Sequence, residues 1–66
     1  MFFERTVRGL TVRGKRYASG VFDKHDNYLG RVYKTVAKEW KNSVADKTFK
    51  SQSEAVYDLR KRTLGA

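Results

Sequence analysis

Residues 51–65 read SQSEAVYDLRKRTLG, and this segment predicts a helix over about residues 52–64. Ser51 and Glu54 have the spacing of a capping box, in which the serine hydroxyl accepts a hydrogen bond from the Glu54 amide. Gly65 follows the last turn, where a glycine in the left-handed conformation commonly ends a helix. Both ends of the helix are therefore marked in the sequence.

Ala55, Val56 and Leu59 fall on one helical stripe, which extends toward Thr63. A helix of about 13 residues is marginally stable alone in water. We therefore expect the stripe to pack on a sheet built by the preceding residues.

Those preceding residues favour strands, because aromatic and β-branched residues alternate with glycines and polar clusters. We predict strands over 2–12, 17–22, 28–36 and 39–44, with turns at 13–16, 23–27, 37–38 and 46–47. Residues 1–12 are interpreted as an N-terminal strand or a basic arm. Within them, Thr6-Val7-Arg8-Gly9 is repeated as Thr11-Val12-Arg13-Gly14, either by chance or as two strand–turn units.

The predicted fold class is α+β, with a three- or four-stranded antiparallel sheet and one C-terminal helix packed on one face. The 66 residues are interpreted as a single domain, because two compact domains do not fit in this length. The sheet is assigned to residues 13–50 and the helix to residues 51–65.

Length and composition argue against an enzyme. A chain of this size has little interior in which to support a catalytic group, and it contains no cysteine and one histidine, His25. It therefore lacks the ligand set of a zinc site, and no glycine-rich phosphate loop is present. We expect no cofactor, no metal and no catalytic residues.

Charge is the strongest functional signal. Fifteen Lys and Arg against seven Asp and Glu give a net charge of +8, which attracts polyanions. Nucleic acid is the favoured partner, DNA ahead of RNA, because cations neutralise phosphates and release counterions. An acidic surface of a host protein is the alternative partner.

The sequence shows no recognisable targeting signal, since no apolar run is long enough for a signal peptide or a membrane span. We therefore expect a cytoplasmic protein without membrane contact, as a monomer or homodimer.

A helix on one face of the sheet leaves the other face open to water, and we expect the binding cations to be concentrated there. Alternation in the third strand favours Val32 and Val36 inward with Arg31 and Tyr33 outward, although the opposite register and a core role for Tyr33 stay open. The 13–16 turn adds cations at a hairpin tip. The candidate nucleic-acid-binding residues are Arg13, Lys15, Arg16, Arg31, Tyr33, Lys34 and Lys41.

Several of these segments resemble a known family type. Residues 30–33 (GRVY), the strand containing Trp40, and residues 47–55 (KTFKSQSEA) are similar to the three-stranded-sheet-plus-helix DNA-binding domains of phage and transposon tyrosine recombinases and of plant ethylene-response factors. The resemblance covers about residues 15–62. It implies that the sheet enters the DNA major groove, with five residues near DNA: Arg13, Lys15, Arg31, Tyr33 and Lys41.

A short, basic, cysteine-free chain also resembles the small proteins of phages and mobile elements. For a phage protein, the compartment would be the cytoplasm of the bacterial host. The functional prediction is a non-catalytic nucleic-acid-binding protein that uses a basic open sheet face and its hairpin. The alternative is a phage-type protein that binds an acidic surface of a host protein or nucleic-acid enzyme and inhibits or redirects it.

Overall fold

The computed structural model describes residues 3–65, which form one antiparallel sheet and one helix. Each strand pairs with the next along the chain, so that the sheet is a simple meander. The elements are β1 (Phe3–Val7), β2 (Leu10–Lys15), β3 (Ala18–Phe22), β4 (Tyr28–Lys34), β5 (Trp40–Asn42) and α1 (Gln52–Leu64). The α+β class and the C-terminal helix on an antiparallel sheet are confirmed, but the sheet has five strands instead of three or four.

The extra strand arises because the segment predicted as one strand over 2–12 is a hairpin. Val7 lies opposite Leu10, and the two residues between them have left-handed backbone, with φ of 53° at Arg8 and 78° at Gly9. A two-residue turn with both φ values positive matches the twist of the flanking strands. From Phe3 onward this segment is paired in the sheet and is not a free arm, while Phe2 lies outside the described residues.

The second turn also differs from the prediction. Residues 13–15 continue β2, and the turn is formed by Arg16 and Tyr17. Gly14 is required inside the strand, because its φ is 149° and an added Cβ would lie 2.9 Å from the Cα of Ser19. The glycine that indicated a turn therefore serves close strand packing, and of the three predicted tip cations only Arg16 lies at the tip.

The prediction that Val36 points inward is wrong, because β4 ends at Lys34 and Val36 is 104% exposed. The Thr35 amide donates to the Glu39 carbonyl, and the Lys38 amide donates to the Thr35 carbonyl. These two bonds form a turn that removes Val36 from the strand pleat. The next strand, β5, likewise ends at Asn42 before the predicted end at residue 44.

The helix begins and ends where the sequence indicates. The Ser51 hydroxyl accepts from the Glu54 amide at 3.2 Å, and the Gly65 amide donates to the Lys61 carbonyl at 2.9 Å with a φ of 77° at Gly65. No helix within residues 3–65 has the length and apolarity needed to cross a membrane.

The core lies on one side of the sheet, beneath α1. Three helix residues are fully buried there, and the largest of them, Leu59, packs over β4 at Gly30, where an added Cβ would lie 2.9 Å from a Leu59 methyl. A side chain at residue 30 would push the helix off the sheet. The buried apolar residues are Val7, Leu10, Val12, Val21, Val32, Ala55, Val56 and Leu59.

A buried amide joins β5 to the helix. Asn42 Nδ2 donates to the Ala55 carbonyl at 2.9 Å and to Asp58 Oδ2 at 3.2 Å. Its Oδ1 accepts from the amides of Val44 and Ala45. Because these bonds use both ends of the amide, Asn42 is buried without an unsatisfied polar atom.

Replacement of Leu59 by alanine should cost about 2–5 kcal/mol of unfolding free energy, because it leaves a cavity in a small core. Leu64→Ala is the matched control, since Leu64 lies half-exposed in the last helical turn. Urea titration followed by circular dichroism measures both. Equal losses in the two variants would show that the helix is not seated through Leu59.

Stability should also fall in acid through Asp58. Burial alone raises the pKa of Asp58, but hydrogen bonds from Asn42 and Arg62 outweigh it and hold the pKa below its ordinary value of 3.8. The unfolded chain therefore binds this proton more readily, so the stabilisation is present above about pH 4 and is lost as pH falls through the folded pKa.

The variant Asp58→Asn should flatten part of this acid dependence, measured as the urea midpoint in neutral and acidic buffer. Asp46→Asn, at an exposed loop carboxylate, is the control and should leave the dependence unchanged. An acid dependence that is identical in all three proteins would contradict this assignment.

Candidate nucleic-acid interface

The strand pleat sorts the side chains of the sheet onto a helix-covered face and an open face. Val12, Val21 and Val32 point toward the helix and are buried. The residues beside them in each strand therefore point to the open face. The favoured register of the third predicted strand holds, because Val32 is buried and Arg31 and Tyr33 lie on the other face.

One row of cross-strand neighbours on the open face runs through four strands. It consists of Lys15, Ala18, Tyr33 and Lys41, in β2, β3, β4 and β5. The second row consists of Glu4, Arg13, Gly20 and Arg31, in β1 to β4. Both rows have a small residue in β3 with a cation or tyrosine on each side.

The two small residues create a trough along β3. Its floor is Ala18 and Gly20, one side carries Arg13 and Lys15, and the other carries Arg31 and Tyr33. Neighbouring strands lie about 4.8 Å apart, so the backbones of the two sides are about 10 Å apart. We call the trough with these side residues and Lys41 the β3 trough.

Two aromatic rings close one end of the β3 trough. The rings of Phe22 and Tyr28 pack edge to face with centroids 5.6 Å apart. A Cβ placed on Gly20 would lie 3.2 Å from the Phe22 ring and 3.5 Å from that of Tyr28. The rings thus lean over the floor at this end, and the trough is open toward the β2–β3 turn.

Arg13 is held in place by acids and by a ring. Its Nε donates to Glu4 Oε1 at 2.8 Å, Nη2 lies 3.4 Å from Asp26 Oδ1, and Cζ is 4.9 Å from the centre of the Phe22 ring. The hydrogen bond to Glu4 raises the already high pKa of Arg13. The charge of Arg13 is therefore partly neutralised, and this end of the trough is the less positive one.

The three other strand cations of the open face differ in this respect: Arg31 from the same row, and Lys15 and Lys41 from the row nearer the β2–β3 turn. Arg31 and Lys41 form no ion pair within residues 3–65, and neither does Lys15. The Arg31 guanidinium lies 5.3 Å from the centre of the Tyr33 ring, and its backbone is fixed by two hydrogen bonds with Ser43. These side chains present charge to solvent from three hydrogen-bonded strands, β2, β4 and β5.

Two predicted site residues lie outside the trough. Lys34 points to the helix side of the sheet, where its amine lies 5.2 Å from the Tyr17 ring centre and 5.9 Å from that of Trp40. Arg16 lies in the β2–β3 turn, 5.6 Å from the centre of the Tyr17 ring. The structure therefore brings Arg13, Lys15, Arg31, Tyr33 and Lys41 together and separates Lys34 and Arg16 from them.

Positive charge is not confined to the open face, which differs from the expectation of a single basic side. Four strand cations share the open face with Glu4, and five more lie in turns and loops. The remaining six lie on α1, on the helix side of the sheet or in the β1–β2 turn beneath the helix: Arg5, Arg8, Lys34, Arg60, Lys61 and Arg62. What distinguishes the open face is the arrangement of its cations around a trough.

Sequence reasoning missed the floor of the trough. It treated residues 17–22 only as a strand, although Ala18 and Gly20 are two small residues at the spacing of one sheet face. That spacing was the available signal for a depression between charged strands.

No protein-family model matches this chain, and neither a curated protein nor a solved structure is significantly similar to it. The case for function therefore depends on the geometry of the chain itself.

Proposed function

We propose that the protein binds DNA without catalysis, by seating a phosphate backbone in the β3 trough. The observation that supports the proposal most strongly is that three cations around the floor of Ala18 and Gly20 form no ion pair within residues 3–65: Lys15, Arg31 and Lys41. Because the Phe22 and Tyr28 rings lean over Gly20, a polymer backbone can approach the floor closely at Ala18, and cations beside it neutralise the phosphates.

The residues have distinct roles in this proposal. Lys15 and Lys41 lie at opposite ends of one row and contact phosphates as mobile point charges. Arg31 offers a planar donor fork that is oriented by its packing on Tyr33, and the tyrosine hydroxyl adds a hydrogen bond. Contacts of these kinds fix the position of the protein on DNA and give little sequence selectivity.

The resemblance to sheet-plus-helix DNA-binding domains supports the same surface. In this chain β3, β4 and β5 are the three strands that directly precede the helix, and the β1–β2 hairpin is an addition. The open face of those three strands carries Tyr33, Arg31 and Lys41. The resemblance thus favours contact of this face with DNA, although it implies base edges against the sheet where our proposal places a phosphate backbone in the β3 trough.

The double variant Arg31→Gln/Lys41→Gln should weaken binding to duplex DNA by about tenfold or more at low salt. The slope of log affinity against log salt should become less steep by about two, one for each lost phosphate contact. Fluorescence anisotropy of a labelled duplex at several salt concentrations measures both quantities.

The control is Lys24→Gln/Lys50→Gln, which removes the same net charge from exposed loop positions. It should change affinity much less. Equal losses in the two double variants would show that only overall charge matters, and absence of duplex binding at low salt would refute the proposal. If duplex binding is absent, a pull-down treated with nuclease tests the alternative. A host protein that stays bound to the chain after digestion would favour binding to an acidic protein surface.

Glu4→Gln should tighten duplex binding by about two- to threefold, because it releases the Arg13 guanidinium from its nearest carboxylate. Glu39→Gln makes the same change of charge in the β4–β5 turn and serves as the control. The same anisotropy titration compares them. A tightening that is no larger for Glu4→Gln than for Glu39→Gln would place Arg13 outside the interface.

A further inference from the structure

A cleft of about 440 Å³ lies on the helix side of the sheet, between the β2–β3 turn and the start of α1. This volume is in the range of small-molecule sites. Val12 and Ser19 from the buried face of the sheet lie at its base, and Gln52 of the first helical turn lies at its rim. The α1 helix leaves this part of the helix-side face uncovered.

Three aromatic side chains line the cleft. Phe3 and Tyr17 are each 52% exposed, and Trp40 is partly buried against the core. The chain thus keeps large apolar rings accessible although its core is small. Ring faces of this kind stack on nucleobases, whose π faces bind aromatic side chains whatever the sequence.

The remaining lining is cationic. Arg5, Lys15 and Arg16 contribute to the cleft, and none of its lining residues within the described chain is an acid. The amine of Lys34 lies close to the rings of Tyr17 and Trp40. A ligand that fits this lining combines a flat apolar group with negative charge, which is the chemistry of a nucleotide.

The cleft adjoins the β3 trough. Lys15 ends a row on the open face and also lines the cleft, and Arg16 follows it in the turn. The β3 trough is open toward this same turn. A polymer that lies in the trough would therefore meet the cleft at the turn, beside Lys15 and Arg16.

We propose that the cleft binds an unpaired nucleotide next to a duplex held in the β3 trough, with the base stacked on the aromatic rings and its phosphate beside Lys15 and Arg16. This inference depends on the proposed DNA binding and adds a preference for duplexes with a single-stranded end. An acidic peptide matches the charge of the cleft but does not bring a flat ring and a phosphate within one unit.

Trp40 provides a direct test, because it is the single tryptophan of the chain and lines the cleft. A blunt duplex and the same duplex with a short unpaired tail are titrated while tryptophan fluorescence and anisotropy are recorded. The tailed duplex should bind about fivefold or more tightly than the blunt one, the contribution expected of one stacked base, and should quench Trp40. Equal affinities with unchanged Trp40 emission would overturn the inference.

Two tyrosines provide matched variants. Tyr17 in the cleft and Tyr57 on α1 are both about half-exposed, and each has two cations near its ring. Tyr17→Leu should abolish the preference for the tail and leave binding of the blunt duplex unchanged. Tyr57→Leu should retain the preference. Equal loss in both variants, with folding confirmed by circular dichroism, would refute the cleft as the binding site.

The trough and the cleft can each be contradicted independently of the other. Binding of the blunt duplex that depends on Arg31 and Lys41, without a tail preference, overturns the cleft and retains the trough. A tail preference together with blunt-duplex and tailed-duplex affinities that are both unchanged by Arg31→Gln/Lys41→Gln retains the cleft and overturns the trough. Displacement of the tail by an oligoglutamate peptide that carries one phenylalanine, at equal or lower concentration, would assign the cleft to acidic peptides and overturn the nucleotide inference.

Discussion

The seating of α1 on one face of the sheet is the constraint on which the other features depend. Leu59 fits over β4 only because residue 30 is glycine, and the Asn42 amide fixes the neighbouring turn of the helix to β5. With a core this small, the chain has apolar side chains for one layer only. The other face of the sheet must therefore remain in water, and its side chains are free to serve a partner. The open face proposed as the binding surface is a consequence of how the core is built.

How much of the fold and of the candidate site could be predicted depends on how far apart in the sequence the interacting residues lie. The helix was predictable to its ends, because Ser51, Glu54 and Gly65 act through contacts within a few residues. The orientation of Arg31 and Tyr33 followed from strand alternation. Val36 was misassigned because alternation holds only while the strand continues, and hydrogen bonds of Thr35 end it. The link from Asn42 to the helix could not be predicted, since its partners there, Ala55 and Asp58, lie 13 and 16 residues away in the sequence.

The repeated tetrapeptide shows this dependence on context clearly. Thr6-Val7-Arg8-Gly9 is a strand followed by a turn, whereas Thr11-Val12-Arg13-Gly14 lies within one strand. In the first copy Arg8 and Gly9 adopt left-handed backbone and Val7 pairs with Leu10. In the second copy Arg13 lies opposite Glu4, and Gly14 gives room to the backbone of β3. The same four residues thus adopt different conformations, and the strand with which each copy pairs determines which one.

A net charge of +8 would attract a polyanion but would not select one site on the surface, since cations surround the molecule. The binding site must therefore be determined by the local arrangement of the cations. Arg13 is less available to a polyanion, since its guanidinium N–H groups are directed at Glu4 and Asp26. Arg31 shows the opposite case, because a ring orients it while its donors form no ion pair within the described residues. Long-range charge would bring the partner to the protein, and the few oriented, unpaired cations beside a shallow floor would determine where it stays.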